Sequence, residues 1–167
     1  MKASLIIPAA LVVLVAAVSA AAAREVGVRL LPPAAPAGET VLYGHIKSLT
    51  HQGSRFRLRF DPAWWLTGYA AQRAALEDHG SSDVPNDYYI VEEGHRLLTY
   101  LVSPTARVTV LTDGANATAI TVAELTQLEN GKNPNHRHLS EPAAGYWIRV
   151  GSKYPNPVLA LDQQYQP

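Results

Sequence analysis

The sequence predicts a mainly β fold: a small antiparallel barrel or a strongly curved sheet. Three observations predict it. Short runs alternate between apolar and polar residues, most strictly in Arg55-Phe56-Arg57-Leu58-Arg59-Phe60. Turn residues divide these runs into adjacent hairpins, which favours antiparallel pairing. Helix boundary signals occur in only two places, after the second strand and before the penultimate one.

The elements follow in order. Lys2, the apolar stretch Leu5 to Val18 and the small residues Ser19 to Ala23 have the layout of a secretory signal peptide, residues 1–23. Cleavage is expected after Ala23, with Ala20 as the alternative. The competing reading is a single uncleaved membrane anchor, because Leu5 to Ala23 is just long enough to span a bilayer. Residues 24–38 contain Leu31-Pro32-Pro33-Ala34-Ala35-Pro36, too proline-rich for helix or sheet, and read as a tether. One globular domain is expected over 39–167.

Thr40 to Leu49 reads as a strand in which Gly44 marks a sharp bend or a close backbone approach. The turn Thr50 to Ser54 joins it to Arg55–Phe60, with Phe56, Leu58 and Phe60 inward and the three arginines outward. Asp61-Pro62 is an N-cap acid followed by proline, which predicts a short helical turn over Ala63 to Leu66. A longer helix runs from Gly68, capped by Thr67, to His79 and stops at Gly80. Asp87–Val91 and Arg96–Val102 form the next hairpin, the second strand ending at Pro104. Arg107–Thr112 and Ala117–Ile120 pair across Asp113 to Asn116. Thr121-Val122-Ala123-Glu124 is a capping box opening a short helix with Leu125 and Leu128 inward. After a polar loop, Gly145–Val150 and Val158–Leu161 are the last strands.

The Gly-bent strand hairpinned to an alternating one resembles the opening of an OB-type barrel, and the capped helix before Tyr146 suits it. The helix after the second strand departs from that pattern. A wider resemblance rests on Gly44 to Leu49, Arg59 to Pro62 with Leu66-Thr67-Gly68, and Val84 to Tyr89. It extends to Ile120 to Leu125, Trp147 to Val150 and Leu161 to Tyr165. Together these resemble small exported proteins of unknown function from high-GC bacteria, which implies a secreted or envelope location and transfers no activity, cofactor or site residue.

Composition removes several function classes. The 167 residues carry 14 basic and 14 acidic groups and no cysteine. Disulfides, thiol catalysis and cysteine-based zinc sites are therefore excluded. A neutral chain has no long-range field to attract nucleic acid, so none is expected as a partner. Gly-x-Ser-x-Gly, His-Glu-x-x-His and phosphate-loop motifs are absent, and no cofactor is expected.

Four groups are candidate sites. Arg55, Arg57 and Arg59 form an outward stripe suited to an envelope polyanion, with Trp65 and Tyr89 as nearby aromatic contacts. Other aromatics, Trp64, Tyr69, Tyr88 and Tyr146, could extend the platform or fill the core. His136 and His138 would share one face of an extended chain and could hold a metal with His95, Glu93 or Glu141. Asp83, Asp87, Glu92 and Glu93 could do paired-carboxylate chemistry or simply shape turns. The favoured reading is a non-catalytic binding module of the cell envelope. The alternatives are a metal-dependent or acid–base hydrolase, and a structural accessory protein with an envelope protein as partner.

Overall fold

Alternation buries one face of each long strand, and five such strands close on themselves. The computed structural model describes residues 33–92, 94, 96–113, 116–139 and 144–166. Residues 1–32, which hold the expected leader and most of the expected tether, and Gly114 and Ala115 lie outside the described residues. β1 (Glu39–Gln52) and β2 (Arg55–Thr67) form a hairpin turned at Gly53. Then follow α1 (Gly68–His79), β3 (Tyr88–Val91), β4 (Leu98–Thr112), β5 (Asn116–Ile120), α2 (Val122–Glu129), β6 (Tyr146–Gly151) and β7 (Val158–Gln163). Among the described residues, no helix is long and apolar enough to cross a membrane.

The barrel runs β1-β2-β4-β7-β6 and returns to β1. Counted among barrel strands alone, this is the order 1-2-3-5-4 of an OB-type barrel, with its short helix, α2, between the third and fourth strands. β4 and β7 pair in parallel, the one departure from antiparallel pairing. β3 extends the far end of β2, and β5 extends the second half of β4.

Gly44 makes closure possible. A Cβ there would sit 2.1 Å from the Asp61 carbonyl oxygen and 2.8 Å from the Pro62 Cα. β1 crosses β2 at this point and shifts register between Ile46 and Ser48. The resulting curvature lets Glu39–Gly44 pair with β6 while Tyr43–Gln52 pair with β2.

Three sequence expectations fail in informative ways. Ala63 to Leu66 is not helical: β2 continues through Asp61-Pro62 to Thr67. The reason is tertiary. Ala63 pairs with Tyr43 of β1, and Trp64 to Thr67 pair with β3, so neighbouring strands hold the segment extended and override the local helix signal. Pro104 does not end a strand either. It lies inside β4, where the pairing with β7 shifts register between Val102 and Arg107, a place where a missing N–H costs no ladder bond. The expected hairpin of Asp87–Val91 with Arg96–Val102 does not form, because β3 and β4 each pair with β2. The end of α1 is as expected: it stops at Gly80, whose left-handed backbone returns its N–H to the Leu76 carbonyl.

The barrel interior is filled by Leu49, Leu58, Phe60, Val102, Ile148 and Leu161, each at most 1% exposed. α2 plugs one end with Val122 and Leu125. Its N-cap Thr121 accepts the Glu124 N–H at 3.0 Å. The Glu124 carboxylate leaves the capping box and takes the Arg137 guanidinium and the Asn135 amide instead, and the Arg137 bond holds it below the usual carboxylate range.

A second core lies outside the barrel, where Tyr43, Ala63 and Trp147 are buried against Val41, Trp65 and Ile90. The rings meet edge-on or tilted, with Tyr43 5.0 Å from both Trp65 and Trp147. Trp147 donates its indole N–H to Gln164 at 2.7 Å, and the Gln166 amide donates to the Tyr43 hydroxyl, so the chain's end caps this cluster.

Replacing Gly44 with alanine is expected to cost about 2–3 kcal/mol in urea unfolding, because the new methyl meets backbone that cannot move aside cheaply. A cost below 0.5 kcal/mol would show that β1 and β2 can separate there.

Candidate functional site

β2 holds Arg55, Arg57 and Arg59 on the outer wall of the barrel because Phe56, Leu58 and Phe60 take the inside. Successive arginines are two residues apart, roughly 7 Å along an extended strand. Their cross-strand partners on β1 are Gln52, Thr50 and Ser48. On β4, Arg57 faces Leu101 and Arg59 faces Thr99. None of these neighbours is acidic. Among the described residues the three guanidiniums have neither an ion pair nor a hydrogen bond, and all three are exposed. Arg73, Arg107, Arg137 and Arg149, by contrast, each hold a carboxylate, from Glu77, Asp162, Glu124 and Glu39 respectively. Lys47 at the next stretch of wall is likewise held by Asp61 at 3.0 Å.

The loop between β6 and β7 folds over one end of the stripe. Pro155 and Pro157 close a hollow of about 180 Å³ against Arg55, Leu101 and Ser103. Lys153 is exposed in the same loop, and Tyr154 is 94% exposed. The segment 153–157 falls between the last two expected strands, Gly145–Val150 and Val158–Leu161. Its one available signal was a tyrosine and a lysine beside two prolines, residues that have no core to enter. The structure thus brings Arg55 against Pro155 and Pro157, in the loop that carries Lys153 and Tyr154, across about a hundred residues of sequence.

The aromatics expected beside the stripe sit elsewhere on β2 and β3. Trp65 stacks on Tyr88 with ring centroids 4.1 Å apart, inside the exterior core, and its buried indole N–H has no partner. Trp64 is 59% exposed and Tyr69 79% exposed. Tyr89 donates its hydroxyl to Asp78 at 2.5 Å and lies 2.8 Å from the His79 ring, tying β3 to the end of α1. The bond to Asp78 holds the phenol above its usual range. Trp65 lies up to roughly 20 Å along β2 from Arg59.

The acidic residues gather at that same far end. Glu77, Asp78 and Glu92 line an open hollow of about 520 Å³ with Tyr89. Glu92 is bonded to His45 at 2.5 Å. Asp83 and Asp87 shape the turn before β3, with Asp87 at a left-handed φ of 58°. Glu93 lies outside the described residues. A neutral chain is therefore locally polar, basic at one end of β2 and acidic at the other.

His136 and His138 are both exposed, on the loop after α2. His136 has φ 49°, which breaks the extended alternation that would have aligned the pair. Among the described residues, no three His, Asp or Glu side chains are grouped to hold a metal ion. His95 and Glu141, offered as further ligands, lie outside the described residues.

Sequence reasoning also missed Glu129, at the end of α2. Its carboxyl group is half-buried under the barrel end and shares a hydrogen bond with the Tyr146 hydroxyl of β6. Burial pushes it up to about 7, against the Tyr146 bond, which lowers it. Burial also raises the Tyr146 hydroxyl, helped by the adjacent carboxylate. Comparison with known proteins finds no matching family model, no similar curated protein and no similar solved structure.

The Glu129 environment makes stability depend on pH. The unfolded chain releases this proton near the ordinary 4.5, and the folded chain keeps it to about 7. Between those values the folded state binds the extra proton. Its contribution is complete below about pH 4.5 and is lost as pH rises through about 7, by up to about 3 kcal/mol. Glu129→Gln is expected to match the parent chain in urea unfolding at pH 4 and to exceed it at pH 8. Parallel curves for the two proteins across that range would contradict this.

Proposed function

We propose that this protein is a non-catalytic binding module that takes an extended polyanion along the Arg55, Arg57 and Arg59 face, with Lys153 and Tyr154 flanking it. The observation that carries the reading is the neutral neighbourhood of the stripe. Three like charges on alternate strand positions repel each other. A purely structural stripe would be expected to draw carboxylates from β1 or β4, as the other paired arginines do from their neighbours. Here the cross-strand residues are Gln52, Thr50, Ser48, Leu101 and Thr99. A guanidinium presents a planar fork of donors that suits phosphate or carboxylate groups, and three of them at even spacing suit a repeating anion.

The position in the fold supports the same reading. The stripe lies on the second barrel strand, beside the third, with the β1–β2 turn and the β6–β7 loop at its Arg55 end. Barrels of this type use that face for extended polymers. Fold alone assigns no ligand, and the chemistry of the arginines selects an anionic one. The leader at residues 1–23 directs the chain out of the cytoplasm, so the polymer is an acidic component of the cell envelope.

The test is titration of the full chain with inorganic polyphosphate, with a neutral glucan as control. Binding is expected to weaken with salt, with a log–log slope of about −2 to −3 if each arginine displaces one counterion. Changing all three arginines to Gln is expected to abolish binding and leave Tm within about a degree, since these exposed side chains hold no partner. Retained affinity in the triple variant would overturn the assignment, as would equal binding of the glucan.

A further inference from the structure

α2 does not seal the barrel end completely. Between its last turn and the barrel wall lies a hollow of about 280 Å³, walled by Val110, Leu128 and Leu139 and carrying Glu129, Tyr146 and Gln163 as its polar groups. At roughly 30 Å³ for each water-sized group, it has room for about nine non-hydrogen atoms. It is remote in the fold from the arginine face, which occupies the outer wall of β2.

We propose that this hollow is a binding site for a small organic cation, a primary amine with a compact hydrocarbon body, whose ammonium group pairs with Glu129. The polar groups are unbalanced in a way that defines the missing partner. An ionised carboxylate has about four acceptor positions, and here the Tyr146 hydroxyl supplies one donor. Gln163, whose side-chain oxygen accepts the Leu111 N–H at 2.7 Å, brings only neutral groups to the hollow. Tyr146 on β6 is the one titratable group facing Glu129 among the described residues that line the hollow, and β4, β7 and Leu139 present no charge to it. Lys132, the nearest lysine in sequence, is exposed and pairs with no carboxylate among the described residues.

An acid enclosed without a cation is a costly arrangement. Burial pushes the Glu129 carboxyl group up to about 7, and a cation beside it would offset that cost. An ammonium group supplies three donors and the charge at once. Val110, Leu128 and Leu139 suit the hydrocarbon part. An anion would meet the carboxylate directly, and a neutral alcohol would leave its charge uncompensated.

The experiment is calorimetric titration of the full chain with butylamine, cyclohexylamine and benzylamine, with benzyl alcohol and benzoate as isosteric controls. At pH 8 at least one amine is expected to bind and both controls to bind more weakly. The affinity is expected to fall on acidification to pH 5.5, as Glu129 takes up its proton. Glu129→Gln is expected to lose on the order of tenfold or more in affinity, the worth of one hydrogen bond to a charged group. Leu139→Trp, which fills the hollow from the wall, should lose binding while keeping the circular-dichroism spectrum of the parent. Absence of binding for all three amines would overturn the proposal. So would equal affinity for benzylamine and benzyl alcohol, or undiminished amine binding by either variant.

Discussion

The contact on which the rest of this structure depends is the crossing of β1 over β2 at Gly44. Backbone lies where a side chain would otherwise be, against Asp61 and Pro62. Because the strands can approach so closely, β1 curves enough to pair with β2 along one half and β6 along the other. That double pairing closes the barrel. It also fixes which face of β2 is inside. Phe56, Leu58 and Phe60 enter the core together, and the arginines between them are carried to the surface as a set.

The crossing also divides the outer face of β2. Before it lies the free arginine stripe. After it, Ala63 and Trp65 are taken into the exterior aromatic core with Tyr43 and Trp147. One strand therefore carries two outer surfaces of different chemistry, one solvated and cationic, the other aromatic and covered. The helix α1 and strand β3 grow from the covered end and bring Glu77, Asp78 and Glu92 with them. Charge segregation in a chain of zero net charge is a consequence of this layout, and total charge alone conceals it.

Much of the fold was legible in the sequence because its signals are local. The alternation from Arg55 to Phe60, the lone glycine at 44, the Thr121 cap and the stop at Gly80 each act within a few residues of themselves. What was illegible depends on partners distant in the chain. Asp61-Pro62 looks like a helix start until β1 and β3 pair with the segment that follows. Pro104 looks like a strand end until β7 arrives with a register shift at that point. The parallel pairing of β4 with β7 leaves no trace in either strand's composition. The site was legible to a similar degree. The arginine stripe could be read from alternation. Its neutral neighbours, the loop bearing Lys153 and Tyr154, and the enclosure of Glu129 by Tyr146 are products of closure.

The uncompensated arginine face is the proposed meeting place of this protein and its ligand. The most direct measurement is residue-resolved NMR of the full chain during titration with polyphosphate. The amide signals expected to move are those of Arg55–Arg59, of Thr99–Leu101 opposite them, and of Ser152–Tyr154 in the flanking loop. Signals of the exterior aromatic core and of α2 should stay in place. Perturbations centred on α1 and β3, or spread evenly over the barrel, would contradict it.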